Sequence, residues 1–552
     1  MATTIAWSRR AADELWSGVV TPLTFSVLAE QMAEHMAQRR LRQAGLIDAS
    51  QAPVFRLIRG HVYVNASLLA EVMREVPSVL LSDGVLALLP EPLRADLADR
   101  SRALYDPRTL TTVLRLTWNE RSWAPWSRAE LFRREAAGVA SELDGFDVGP
   151  ETDPRQIARQ ISDVCERLGR FLDVVSWAMI YAYLFFHLAV HLTRDWLSEG
   201  ESLGLLAGGA SGIRTFEAHE ELRGLADRLR GDAGLRAAVE DRPAGDVLAS
   251  AMRGELAEFG DELLAVRRRH GHRLVARDLV FPTWRERPEV LVEMVRRLAA
   301  SERVVRRDPS ELLARAKGEI SAGLLGSVRW RLFERGLSWC QEYYAVRENM
   351  RYHADYFLAA LRGLALAASR QLVSRGSLAA EDDVFYLTKD ELDAALVSAD
   401  GDGGLAHVAE ERRREYDAYR KQTPPEVVWG DAIDDDPTPG PVEVAASKRL
   451  RATAASPGVI EGTARVVRSV EELDAVQSGD VIIAQATDPT WTSYLSLASG
   501  LVLEVGGLLS HGAIIARELG IPAVVDLAGA TTRLQSGERI RVDGSTGRVE
   551  RL

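Results

Sequence analysis

The residues best equipped for chemistry lie close to the C-terminus, in Gly506-Gly507-Leu508-Leu509-Ser510-His511-Gly512. The apolar, branched run Leu501 to Val505 precedes them, a helix-period segment follows, and Gly520-Ile521-Pro522 stops it. That order predicts strand, loop, helix, strand, with His511 at the helix start. The first N–H groups of a helix lack partners and carry partial positive charge, which attracts phosphate. An imidazolium is disfavoured at such a place, so a neutral ring nitrogen is available as a nucleophile near pH 7. A phosphoryl group on that nitrogen would be steadied by the helix end. Gly506, Gly507 and Gly512 allow close backbone approach, and Ser510 can either cap the helix or bond phosphoryl oxygens. The competing reading is a histidine that merely begins a helix.

A second candidate is Tyr343-Tyr344-Ala345-Val346-Arg347-Glu348-Asn349-Met350-Arg351-Tyr352-His353, expected to open a long helix that reaches Val373. Arg347 and Arg351 stand i, i+4, so both guanidiniums share one face and can fork onto one phosphoryl group at any useful pH. The alternative is a solvated face paired with Glu342 and Asp355. Further substrate-binding candidates are His353 in the same stretch, and His272 with Arg273. The latter pair competes with a plainer reading, in which the basic run beginning at Arg267-Arg268-Arg269 settles the end of its own helix. His187 and His191, four apart, have a spacing compatible with a metal. No acidic third ligand stands nearby, so they read as hydrogen-bonded pocket histidines, and no metal site is expected.

These residues need elements to hold them. At 552 residues, 46% hydrophobic and 27% charged, the chain can bury several sizeable cores and is not dominated by disorder. A net charge of −12 offers nucleic acid and anionic membranes no general attraction, so an anionic substrate must meet a local arginine cluster. Two cysteines, Cys165 and Cys340, without a CxxC, argue against disulfides and zinc. With no apolar signal core at the N-terminus, the expected compartment is the cytoplasm. Phe171 to Leu192 is apolar almost all round, yet it holds Asp173 and two histidines and is followed by Arg194 and Asp195. It reads as a buried helix rather than a membrane span.

In order, the chain offers a turn-rich start at Trp16 to Thr24, a helical segment near Phe25 to Ala44, and an alternating hairpin at Phe55 to Asn65. Amphipathic helices then run from Leu68 to about Ser398. Glu381-Asp382-Asp383 supplies helix-start charges, and Thr423-Pro424-Pro425 with Asp434 to Pro441 forms a Pro-rich acidic tether. The expected architecture is multidomain: a large, mostly α-helical domain over 1–420, a linker over 421–449, and a small α/β domain over 450–552.

Three stretches, Thr487-Asp488-Pro489-Thr490-Trp491-Thr492, Gly506 to Val525, and Val542-Asp543-Gly544 with Gly547, together resemble the swivelling phosphohistidine domain of enzymes related to phosphoenolpyruvate synthase and pyruvate phosphate dikinase. Asp-Pro-x-Trp-Thr with Ser-His-Gly-Ala is most similar to the rifampin phosphotransferase family. Gly18 to Thr24, Arg59 to Asn65, Gly271-His272-Arg273 with Asp278, Pro282 and Trp284, and Glu381 to Leu392 resemble that family's acceptor-binding part. Leu274 to Arg277 departs from its Gly-rich, acidic continuation.

The resemblance implies that His511 is the phosphorylated residue and that Arg347 and Arg351 meet the phosphohistidine, Arg351 replacing a lysine. It also implies ATP and Mg²⁺ at a donor step. No Gly-rich phosphate loop stands in residues 1–400, so either a separate ATP-grasp-type donor or another phosphodonor is expected to charge His511, with no cofactor held tightly by this chain. The expected function is an acceptor-side phosphotransferase acting on a hydroxyl of a bulky organic substrate, either ending at the phosphate ester or continuing by elimination to a net dehydration. The alternative is a non-catalytic phosphocarrier or small-molecule sensor. Neither nucleic acid nor membrane is expected as a partner.

Overall fold

The computed structural model describes residues 5–13, 16, 18–75, 86, 88–98, 125–149, 152–193, 212–300, 310–321, 326–398, 404–422, 424–430, 449–487, 491–507 and 510–552. The helices that matter here are α1 (Pro22–Met32), α2 (Pro154–Thr193), α3 (Arg214–Gly231), α4 (Ala257–His270), α5 (Glu289–Ala300), α6 (Gly326–Ser374), α7 (Lys389–Val397) and α8 (His511–Leu519). Contacts divide the chain into two compact units: 1–181 with 277–281 and 353–442, and 182–276 with 282–352 and 443–552. Among the described residues no helix is long and apolar enough to cross a membrane.

The first unit carries a small antiparallel sheet of β1 (Ala6–Ser8), β2 (Phe55–Ile58), β3 (His61–Asn65) and β4 (Val427–Trp429), in the order β2-β3-β1-β4. The expected hairpin is β2–β3, in register Phe55↔Val64 to Ile58↔His61. Its two-residue turn, Arg59-Gly60, has φ of 48° and 72°, the left-handed pair that matches strand twist. β1 pairs with β4 at Trp7↔Val428, tying residues more than four hundred positions apart.

Asp278 fixes the start of α1. Its carboxylate accepts from Thr21 N (2.6 Å), Thr21 Oγ1 (2.5 Å) and Thr24 Oγ1 (2.6 Å), while Thr24 Oγ1 accepts from Leu279 N at 2.9 Å. Two motifs distant in sequence are therefore one buried joint, and Arg362 Nη1 closes it by donating to Leu279 O at 2.6 Å. After α1 the expected helix continues to Ala44 through a π-helical stretch, Ala33–Gln38. The acidic residues before α7 act as caps: Asp383 accepts from Ala379 N and Ala380 N, and Thr388 and Glu391 form a capping box.

The second unit joins a helical cluster to a sheet. α3, α4 and α5 enclose Leu222, Leu225, Leu263, Trp284, Leu291 and Val295. The strands are β5 (Arg449–Arg451), β6 (Thr453–Ser456), β7 (Val459–Val467), β8 (Asp480–Ala484), β9 (Gly500–Leu503), β10 (Ala523–Val525), β11 (Arg539–Asp543) and β12 (Arg548–Arg551). They order as β5-β12-β11-β7-β8-β9-β10-β6, with β7 to β10 parallel. Both faces are covered: Val481 and Ile483 point into one core, Ile482 and Ala484 into another. That explains why Val481 to Ala484 and Leu501 to Leu503 read as unbroken apolar runs.

α6 begins at Gly326, well before the Tyr343 expected from the sequence, because no proline lies between them and Gly336 alone does not end the helix. Its residues up to Tyr352 belong to the second unit and those from His353 to the first. The acidic heart of the expected linker, 431–448, lies outside the described residues.

Candidate functional site

The loop-to-helix reading holds at His511. β9 ends at Leu503, Gly506 takes φ 134°, and α8 opens at His511 and closes on Gly520 in the left-handed conformation. A Cβ at Gly506 would lie 2.8 Å from Ser510 Oγ, and one at Gly512 would lie 2.5 Å from Leu503 Cδ1 and 2.7 Å from Thr487 Oγ1. Gly506 is therefore required by crowding as well as by backbone angle, and Gly512 by crowding alone. Ser510 occupies the N-cap position without a capping bond, and its buried hydroxyl has no hydrogen-bond partner among the described residues.

Within the same unit the imidazole meets α6. His511 Nδ1 lies 3.2 Å from Glu348 Oε2, and Arg347 Nη1 lies 3.4 Å from Glu348 Oε1. His511, Arg347, Glu348 and Arg351 are each 5% exposed or less, so the solvated-face reading of the arginines is excluded. Burial pushes the Glu348 carboxyl up, but the His511 hydrogen bond and the charges of Arg347 and Arg351 outweigh it and hold the group at about 2. An ionised carboxylate only accepts, so Nδ1 carries a proton, and in the neutral ring the lone pair is therefore on Nε2. Sequence reasoning placed Glu348 in the motif without giving it a role. One turn earlier on α6, Tyr344 packs with Ile514 of α8. Its buried hydroxyl has no hydrogen-bond partner among the described residues; burial, then the Glu518 and Glu348 carboxylates, raise its pKa well above the ordinary phenol value.

One turn further along α6, Tyr352 lies beside the basic motif. His270 Nδ1 is 2.7 Å from Tyr352 Oη, and His270 Nε2 is 3.2 Å from Glu221 Oε2. Glu221, His270 and Tyr352 thus form a chain, and the Tyr352 hydroxyl donates to Arg269 O at 3.2 Å. His272 stands edge-on to Tyr352 at 4.7 Å, and the Arg273 guanidinium lies 4.5 Å from the centre of the Trp284 ring. Both are buried. The neighbouring basic run stands in the last turn of α4, as the plainer reading has it, and there Arg267 donates to Arg285 O and Arg269 to Glu221. Buried His219 sits close enough to feel Arg223 and Arg273; burial first, then those charges, lower it to about 3.

The second unit thus brings together His511, Arg347, Arg351, Gly506, Gly507, Ser510 and Gly512, and it also holds His272 and Arg273. His353 belongs to the first unit, edge-on to Phe132 at 6.0 Å and beside Tyr356. His187 and His191 fall on α2, and their side chains lie outside the described residues, as do Asp488, Pro489 and Thr490 of the Thr-Asp-Pro-Thr motif. Thr487, 4% exposed, follows the end of β8. The sequence offered it only as part of a motif.

Residues 476–547 match the family described as PEP-utilising enzyme, mobile domain, and residues 171–348 match the rifampicin phosphotransferase fourth domain. A rifampicin phosphotransferase of Streptomyces sviceus is 31% identical over 393 residues, 65% of this chain and 42% of that protein. One of Bacillus subtilis is 30% identical over 293 residues, 50% of this chain and 32% of that protein. The chain spans about two fifths or less of the length of these relatives. An NMR solution structure of Enzyme I matches at 16% identity with a TM-score of 0.15, over 62% of this chain and 81% of that one, too low to bear on the fold.

Proposed function

We propose that this chain, a rifampicin phosphotransferase-like member of the PEP-utilising enzymes, carries a phosphoryl group on His511 Nε2 and passes it to a hydroxyl of a bulky organic molecule. The observation that carries this reading is the buried pairing of His511 Nδ1 with Glu348, flanked by Arg347 and Arg351. Glu348 fixes the tautomer that presents Nε2 as nucleophile, and it offsets the imidazolium charge that a phosphorylated ring acquires.

In the transfer step the acceptor oxygen attacks phosphorus in line with the P–Nε2 bond. That bond breaks with its electron pair returning to the ring, and the neutral imidazole is then a base for the departing hydroxyl proton. Arg347 and Arg351 meet the charge that grows on the equatorial oxygens, and the open N–H groups at the start of α8 add to it. His272 and Arg273 are assigned to acceptor binding, and residues 450–552 to a swivelling carrier. Charging is assigned to an ATP-grasp-type donor outside these residues, which supplies ATP and Mg²⁺. Elimination of the new phosphate ester, giving a net dehydration, is a continuation of the same scheme.

The test is to charge the protein with labelled phosphate from such a donor and chase with a panel of hydroxylated natural products. Acid-labile label on wild type, absent from His511→Ala and lost in proportion to one acceptor, is expected. Label undiminished in His511→Ala overturns the assignment, and label that no acceptor discharges favours a carrier or sensor.

A further inference from the structure

The start of α8 holds two buried hydroxyls whose bonding is unfinished. Ser510 Oγ and Thr487 Oγ1 are each on residues 4% exposed, and neither has a hydrogen-bond partner among the described residues. Folded proteins keep few such groups, because a buried polar atom that has left water without a partner retains its desolvation penalty. Ser510 stands at the helix N-cap, where a serine ordinarily accepts from the helix's own N–H groups, and it does not do so. Thr487 Oγ1 lies 2.7 Å from the position a Cβ on Gly512 would take, which places it against the first turn of α8 beside His511.

The topology brings Thr487 there for a reason. β8 and β9 are parallel neighbours, paired at Ile482↔Leu501 and Ala484↔Leu503. Thr487 follows the carboxyl end of β8 and Gly506 that of β9, so both lie on neighbouring loops beyond the carboxyl ends of parallel strands. A helix N-terminus, a close-approach glycine and idle hydroxyl donors converge there on a group made only of acceptors. Phosphoryl oxygens are such acceptors.

Building on the reading of His511 as phosphoryl carrier, we propose that Thr487 is a positioning residue whose hydroxyl donates to a phosphoryl oxygen on His511 and is completed only when that group arrives. The consequence has opposite signs in the two states of the protein. In the unmodified state the Thr487 hydroxyl is a cost, and Thr487→Val, which keeps the shape, removes it. In the phosphorylated state the hydroxyl holds the group, and the same substitution loses a bond to a charged oxygen.

The full chain is charged chemically with phosphoramidate, whose P–N bond breaks with loss of ammonia as the P–Nε2 bond forms on neutral His511. Melting temperature with and without the modification, and phosphohistidine lifetime by ³¹P NMR, are measured for wild type, Thr487→Val and Thr487→Ser. Unmodified Thr487→Val is expected to melt at or above wild type, while its phosphohistidine decays roughly tenfold faster, the scale of one charge-assisted bond. Thr487→Ser, which retains the donor, should keep the wild-type lifetime. Equal lifetimes in wild type and Thr487→Val, or an unmodified Thr487→Val that melts several degrees lower, overturn the proposal for Thr487 alone. Wild type that takes no label at His511 removes the reading of His511 first, and this inference with it.

Discussion

Replacing Glu348 by Gln tests the electrostatic heart of the site without changing its shape. The carboxyl is displaced from 4.5 to about 2 by its surroundings despite complete burial. At ~1.4 kcal/mol per pH unit, its ionised form is favoured by roughly 3 kcal/mol over the free group. That sum is shared among His511, Arg347 and Arg351, so the portion on His511 is on the order of 1–2 kcal/mol, or about 5- to 30-fold in rate. The geometry makes the substitution worse than a simple loss of charge. A glutamine amide has one oxygen, and Arg347, which can only donate, will take it. The amide nitrogen then faces His511 Nδ1 and donates to it, moving the ring proton to Nε2, the atom that should attack phosphorus. We expect Glu348→Gln to slow phosphorylation of His511 by phosphoramidate at least tenfold, with an unchanged far-ultraviolet circular dichroism spectrum. Glu348→Asp, charged but shorter, should fall between. Two results would refute the reasoning: labelling of Glu348→Gln at the wild-type rate, or nitrogen-resolved NMR showing the wild-type phosphoryl group on Nδ1.

Arg351→Ala should leave charging of His511 by a donor intact and slow acceptor discharge on the order of 10²-fold, measured as a chase of labelled phosphoprotein; equal decay would assign Arg351 a structural role. His61 and His219, both lowered to about 3 chiefly by burial, are held neutral by the fold. The unfolded chain binds more protons below pH 6.5, so their stability is fully present above that value and is lost as pH falls toward 3. His219→Gln should flatten that part of a melting-temperature curve, and an unchanged slope would contradict it. Asp278→Asn turns one of two accepting oxygens into a donor facing Thr21 or Thr24, and should lower stability by about 1–3 kcal/mol in urea unfolding, against no change if the joint is unimportant.

How much the sequence disclosed depended on distance along the chain. The region around His511 was legible because strand, glycines, helix and stop are contiguous, and each signal is local. The hairpin at Phe55 to Asn65 and the capping box at Thr388 and Glu391 were legible for the same reason. The Glu348 contact was not, because its partner is 163 positions away and an acidic residue between two arginines reads equally well as a surface pair. Asp278 was visible only as a motif letter, since the threonines it holds lie 254 and 257 positions earlier. The start of α6 was misplaced because the aromatic and basic content after Tyr343 was conspicuous, while the helix before it carries no start signal strong enough to stand out.

Tyr344 bears on timing. A histidine that must visit one place to be loaded and another to be unloaded cannot rest in a seat so well fitted that it never leaves. The contact of α6 with α8 is closed by apolar packing of Tyr344 with Ile514 and Ile213, which would keep water from the P–N bond proposed on His511. Yet the same contact strands a phenol hydroxyl without a hydrogen-bond partner among the described residues, close enough to two carboxylates to feel their charge. In the proposed shuttle each docking event would carry that penalty and each departure would relieve it, so the imperfection would shorten the dwell time. In a shuttle, turnover is limited by the slowest release, and a deliberately mediocre fit at one stop is a way to keep the cycle moving.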